Sequence, residues 1–139
     1  MSLETWRKQY APKKDVARMT HKELFAAHVQ LWKGLGKQAL KDHWIHKLPN
    51  ANLGYEIEHG LQVAGVILKG MPLCSRFFGQ DATPCITCPL SKARRGIPCN
   101  QPKPNEKRSP WSTWTRDGDN TPMLRNLKIA QNKLSQLLQ

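Results

Sequence analysis

The stretch from Cys74 to Cys99, CSRFFGQDATPCITCPLSKARRGIPC, holds all four cysteines of the chain in the spacing C-x10-C-x2-C-x10-C. Its centre is the tight pair Cys85-Ile86-Thr87-Cys88, and Pro84, Pro89 and Pro98 stiffen the approaches to its inner and last cysteines. Two intervening residues let neighbouring sulfurs converge on one ion, and four thiolates complete a closed tetrahedral shell. The spacing therefore predicts one structural Zn2+ held by Cys74, Cys85, Cys88 and Cys99. An iron–sulfur cluster is the second reading, because it also takes four thiolates, but the spacing matches neither familiar ferredoxin pattern. Disulfides rank last. Glu4, Arg7 and Lys8 stand where the apolar core of a signal peptide would start, which predicts an intracellular chain with reduced thiols.

Upstream of the cysteines the pattern is helical. Leu3 to Tyr10 reads as a short helix ended by Pro12, since proline disfavours helical geometry at the residue before it. Thr20-His21-Lys22-Glu23 fits a capping box and predicts a helix from His21 to Leu35. Leu24, His28, Leu31 and Leu35 form its apolar stripe, widened by Phe25, Val29 and Trp32. A second helix, Lys37 to Leu48, would bury Leu40, Trp44 and Leu48 and pair with the first as a helical hairpin. His28 reads as a core histidine, and His43 and His46, one turn apart on the second helix, read as boundary residues rather than ligands. The period then changes: Tyr55 and Ile57 alternate with Glu56 and Glu58, and His59-Gly60 offers a turn before Leu61-Gln62-Val63.

Downstream, Gln101 to Pro110 is too rich in proline and charge for a helix or a central strand. Trp111 and Trp114 follow, flanked by Arg108 and Arg116. Such interleaving of rings and cations suits stacking on unpaired bases, while two tryptophans beside a metal site equally suit a hydrophobic lid. Asp117-Gly118-Asp119-Asn120 fails as a calcium loop, because Pro122 replaces the required glycine and Lys128 the terminal glutamate. The last helix, Pro122 to Leu138, carries Leu124, Leu127, Leu134 and Leu138 along one seam. It is capped by Asp119 or Thr121, packs on the N-terminal helices and offers a route to a homodimer.

These readings predict a single domain, 1–139, that is mainly α with little β. Its parts are an N-terminal helical hairpin within 1–50, a short hairpin within 51–73, an irregular four-cysteine zinc-bound segment within 74–116 and a C-terminal helix within 117–139. The longest apolar run, Val63 to Leu68, is too short to span a bilayer, so no membrane partner is expected.

The chain resembles small uncharacterised proteins encoded by bacteriophages and prophages. The likeness lies in Glu4-Thr5-Trp6-Arg7-Lys8-Gln9-Tyr10-Ala11-Pro12, Trp32-Lys33-Gly34-Leu35, the Leu40 to His43 step and Leu73-Cys74. It continues in Phe77-Phe78, Cys85-Ile86-Thr87-Cys88-Pro89-Leu90, Gly96-Ile97-Pro98-Cys99 and Pro110-Trp111-Ser112-Thr113-Trp114. Many of those proteins have a further cysteine three residues before the one matching Cys74, where this chain has Met71. The resemblance implies a phage setting, in the cytoplasm of an infected bacterial host, and carries no established activity with it.

Charge narrows the function. The 139 residues include 22 Lys and Arg against 10 Asp and Glu, a net charge of +12, which attracts polyanions. The sequence contains no H-E-x-x-H, phosphate-binding glycine loop or G-x-S-x-G. Pro84-Cys85-Ile86-Thr87-Cys88 matches half of a zinc-deaminase pattern, but no His-x-Glu supplies the other half. The leading expectation is a non-enzymatic, zinc-stabilised phage protein that binds DNA, RNA or a nucleoprotein complex. Its contact residues would be Arg76, Lys92, Arg94, Arg95, Lys103, Lys107, Arg108, Trp111, Trp114 and Arg116. Cations around the cysteines would serve equally to balance the thiolate charge. A phage inhibitor of a host protein, such as an anti-defence or anti-CRISPR protein, is the alternative. Third comes a metal-dependent nuclease or other hydrolase using His59 with Glu56 or Glu58, or Asp117 with Asp119.

Overall fold

The Thr20 capping box forms as its residues require. The Thr20 hydroxyl accepts from the Glu23 amide at 3.2 Å, and the Glu23 carboxylate accepts from the Thr20 amide at 3.1 Å. In the computed structural model, which describes residues 3–47, 55–57, 73 and 88–133, this box starts a helix over His21–Lys33. That helix, α2, follows α1 (Leu3–Tyr10) and a 3-10 turn (Val16–Arg18). Its inward stripe of Leu24, Phe25, His28, Leu31 and Trp32 is buried.

The C-terminal end of α2 is the point on which distant parts of the chain converge. A helix end leaves carbonyls without intrahelical partners, and here side chains from three segments satisfy them. Trp6 Nε1 donates to Gly34 O at 2.7 Å, Trp114 Nε1 to Leu35 O at 2.9 Å, and Asn120 Nδ2 to Trp32 O at 2.7 Å. Gly34 is required by packing rather than by backbone angle: a Cβ there would stand 2.7 Å from Tyr10 Cβ, on α1.

After Gly36 a short helix, α3 (Lys37–Asp42), leads into β1 (Ile45–Lys47), which pairs antiparallel with β2 (Tyr55–Ile57) in the register Ile45 to Ile57. The helix expected to reach Leu48 therefore stops at Asp42. His43 caps it, Trp44 turns left-handed at φ 61°, and the chain enters a strand. Trp44, expected in the core, is 48% exposed. The strand at Tyr55–Ile57 was anticipated, and β1, upstream of it, is its partner among the described residues. The expected partner Leu61-Gln62-Val63, the apolar run Val63 to Leu68, and Leu48 lie outside the described residues.

The rest of the described chain adds α4 (Pro89–Ala93), α5 (Pro110–Asp117) and α6 (Thr121–Asn132). Ser109 caps α5 by accepting from the Ser112 amide at 3.1 Å, and Pro110 occupies its first turn, so the Trp111/Trp114 segment, expected within an irregular region, is helical. Gly118 ends it in the left-handed conformation at φ 72°. Asn120 is the N-cap residue of α6, and Asp119 accepts from the Thr121 amide at 2.9 Å. α6 packs across α2, α4 and α5, burying Met123, Leu127 and Ala130. Leu134 and Leu138, the far end of the expected seam, lie outside the described residues.

Three tryptophans make the centre of this packing. Trp32 meets Trp114 at 5.2 Å and Trp111 at 5.9 Å between ring centroids, both edge-on, and Trp111 and Trp114 are 5.4 Å apart. Edge-to-face pairs of this kind each contribute about 0.5–1.5 kcal/mol beyond the area they bury. The fold is mainly helical, with its core where α2, α5 and α6 meet.

Candidate nucleic-acid interface

Two of the four cysteines are described, and both border the core. Cys88 is the buried N-cap residue of α4, and its carbonyl accepts from the Lys92 amide at 3.1 Å. Cys99 packs half-buried against the same core, its carbonyl accepting from the Trp111 amide at 3.0 Å. Cys74 and Cys85 lie outside the described residues, as does Arg76. Leu73, next to Cys74, is buried and donates its amide to His28 Nδ1 at 3.2 Å. The two described donors have the chemistry that zinc takes, soft sulfurs on anchored backbone. Among the described residues, no group of three or more His, Cys, Asp or Glu side chains gathers as a metal site.

The histidines stand apart from this chemistry. His28 is fully enclosed, with the Trp32 indole N–H 3.2 Å from its Nε2 and the Leu73 amide facing its Nδ1. Both neighbours are donors and the neutral ring has one acceptor nitrogen, so only one of the two contacts is a hydrogen bond, and a second ring proton would leave neither. Burial pushes its pKa down to about 3, and the ring is neutral. His43 is buried and hydrogen-bonded to Thr5 Oγ1 at 2.8 Å through Nδ1. It caps α3 while His46 sits in β1, so the two do not share a helical face.

Arg94 requires the plainest correction to the expected contact set. It is 1% exposed, and all five of its N–H donors are taken. Nε donates to Ile97 O, Nη1 to Glu106 and Asn126 Oδ1, and Nη2 to Glu106 and Gln101 O, over 2.7–3.2 Å. This guanidinium ties α4, the 97–106 loop and α6 together and has no donor left for a partner. Burial raises the Glu106 carboxyl, but the hydrogen bonds from Arg94 and the Lys103 amide outweigh it and hold the group below its ordinary value. Trp114 is likewise removed from the contact set, being fully buried with its indole N–H spent on Leu35. Trp111 is half-buried against Trp32. The geometry of this pair is that of core packing around Trp32.

The other named cations lie at the surface. Lys92, Arg95, Lys107, Arg108 and Arg116 are exposed, and Lys103 is half-exposed. Arg108 pairs with Asp117 at 3.1 Å, both well solvated. Arg125 and Lys128 on α6 and Lys133 at its C-cap are exposed as well. Asp119 is held below its ordinary value, first by the Thr121 amide and also by Lys37 and Arg125. Asp117 and Asp119 are thus engaged separately, one by an arginine and the other by backbone, and do not form a carboxylate pair around a common ion. Glu58 and His59 lie outside the described residues.

Sequence reasoning missed Trp44. Its local hint is the β-branched Ile45 that follows, a residue type that favours strands. No protein-family model, curated protein or solved structure matches the chain. Among the described residues, no helix is long and apolar enough to cross a membrane.

Proposed function

We propose that this chain is a non-enzymatic nucleic-acid-binding protein of phage origin, acting in the infected host's cytoplasm and held together by one zinc ion on Cys74, Cys85, Cys88 and Cys99. The observation that carries the reading is the charge balance of 88–133. This segment has ten Lys and Arg against three Asp and Glu, and each of the three carboxylates is already engaged. Glu106 is held by Arg94, Asp117 by Arg108 and Asp119 by the Thr121 amide. Arg95, Lys107, Arg125, Lys128 and Lys133 form no ion pair among the described residues, so their field faces solvent and any polyanion in it.

Bound phosphates release counterions from the nucleic acid, which makes affinity fall with salt. Trp44, lifted to the surface by its left-handed turn with Lys41 exposed beside it, supplies an aromatic face for an unpaired base. Filter binding or gel shift against single- and double-stranded DNA and RNA tests the reading. The logarithm of affinity should fall linearly with that of salt, with a slope of about −0.7 per phosphate contacted on a single strand. Absence of binding to every nucleic acid at low salt would overturn it, and recovery of one stoichiometric host protein after nuclease treatment would favour an inhibitor of a host machine instead.

A further inference from the structure

Between α4 and the loop that follows it lies a cavity of about 420 Å³. That size falls in the lower part of the range for small-ligand sites, about 300–1,000 Å³. Ala93, Ile97 and Pro104 give it an apolar wall, and Arg95, Lys103 and Asn105 bring cationic and amide donors. Arg94 also lines it, whereas Glu106, the carboxylate that neutralises Arg94, is not among the lining residues. A cavity with this composition suits a ligand with a compact anionic end and a flatter, less polar remainder.

A second observation concerns Arg95 itself. α4 ends in a Schellman motif: the Gly96 amide donates to Ser91 O at 2.8 Å and the Arg95 amide to Lys92 O at 3.1 Å. The left-handed position of that motif is usually glycine, and here it is Arg95, at φ 59°. A glycine does follow, but one residue later, at φ 83°. The exposed Arg95 side chain makes no hydrogen bond or ion pair within the described residues, and neither does that of Asn105. A sterically disfavoured turn thus carries a long cationic side chain at the edge of the cavity, where a backbone outlier points to a working residue.

We infer that this cavity receives the terminal phosphate and first nucleotide of a nucleic-acid strand. A terminal phosphate monoester carries about −1.5 to −2 charges near neutral pH, more than an internal diester, and so gains more from two cations. Arg95 and Lys103 take the phosphate, Asn105 adds an amide donor, and the sugar and base edge lie against Ala93, Ile97 and Pro104. The volume suits one nucleotide rather than a passing strand. The strand end rests on the nucleic-acid reading above, but the pocket would accept the same chemistry from a free nucleoside monophosphate.

Calorimetric titration separates these cases, using one single-stranded oligonucleotide in 5′-phosphorylated, 3′-phosphorylated and unphosphorylated forms, together with a nucleoside 5′-monophosphate. One terminal phosphate should tighten binding by about tenfold through charge-assisted hydrogen bonds. Arg95→Gly should abolish that preference without lowering Tm, because glycine adopts the left-handed turn freely. A monophosphate that binds as tightly as the phosphorylated strand, and is lost in Arg95→Gly, supports the pocket and identifies the free nucleotide as its ligand. Equal affinity for all three strand forms overturns the pocket while leaving general nucleic-acid binding intact. Binding of neither strand nor nucleotide overturns both, and an Arg95→Gly protein that keeps its phosphate preference overturns the role of Arg95.

Discussion

At the scale of single residues, His28 couples the core to acid. Its folded pKa, about 3, lies below the ordinary value of 6.5, so the unfolded chain binds this proton more readily. The stability that depends on a neutral His28 is complete above 6.5 and is lost as pH falls through the window from 6.5 towards 3, at up to about 1.4 kcal/mol for each pH unit. Urea unfolding across that window should show a steeper loss for the wild-type protein than for His28→Gln, which cannot titrate. Parallel pH profiles would show that His28 is not the group responsible. The sequence identified His28 as a core residue, because it falls on the apolar stripe of α2. It gave no comparable warning for Arg94, whose burial depends on Gln101 and Glu106 from the 97–106 loop and Asn126 from α6. A partner set of that kind has no sequence period. A cation in a basic run is therefore read as surface until tertiary structure supplies its carboxylate.

At the scale of elements, starts were more legible than ends. The capping box of α2 and its apolar stripe are local patterns, and the helix begins where they place it. Alternation at Tyr55 to Ile57 likewise marks a strand, because a period of two is local, but which segment pairs with it is not. The α3 end was missed because Leu40 and Trp44 fit a helical stripe that the chain abandons after Asp42. α5 was missed because a proline read as a breaker occupies the first turn, where its absent N–H costs nothing. The junction of α1 and α2 provides a test of why these elements sit where they do. Gly34→Ala would drive a methyl group into Tyr10, and overpacking of this kind costs about 1–3 kcal/mol. Tyr10→Gly removes the ring and the Cβ alike, so adding Gly34→Ala to it should cost much less than Gly34→Ala alone, as read by chemical denaturation. Additive losses would show that Gly34 is required for another reason.

At the scale of the whole molecule, the cysteine stretch acts between two anchored points. Leu73 is fixed to His28 on α2, and Cys88 opens α4, which packs on α6; α6 also packs on α2. A zinc ion on the four thiolates would close a loop whose two ends already belong to one core. Its binding energy would then add directly to folding, as in other structural zinc sites. The same arrangement would couple the proposed metal to the proposed binding, because α4 leads into Arg95 and the 97–106 loop that lines the cavity. Metal analysis should find about one zinc per chain, the stoichiometry of a closed four-thiolate site. Cys88→Ser should lower Tm and weaken nucleic-acid binding together. Stripping the metal with a chelator should do the same to the wild-type protein, and re-addition of zinc should restore both. Iron with visible charge-transfer absorption would replace zinc by a cluster. Unchanged Tm and affinity after complete removal of the metal would show that α2, α5 and α6 hold the basic surface without a clasp.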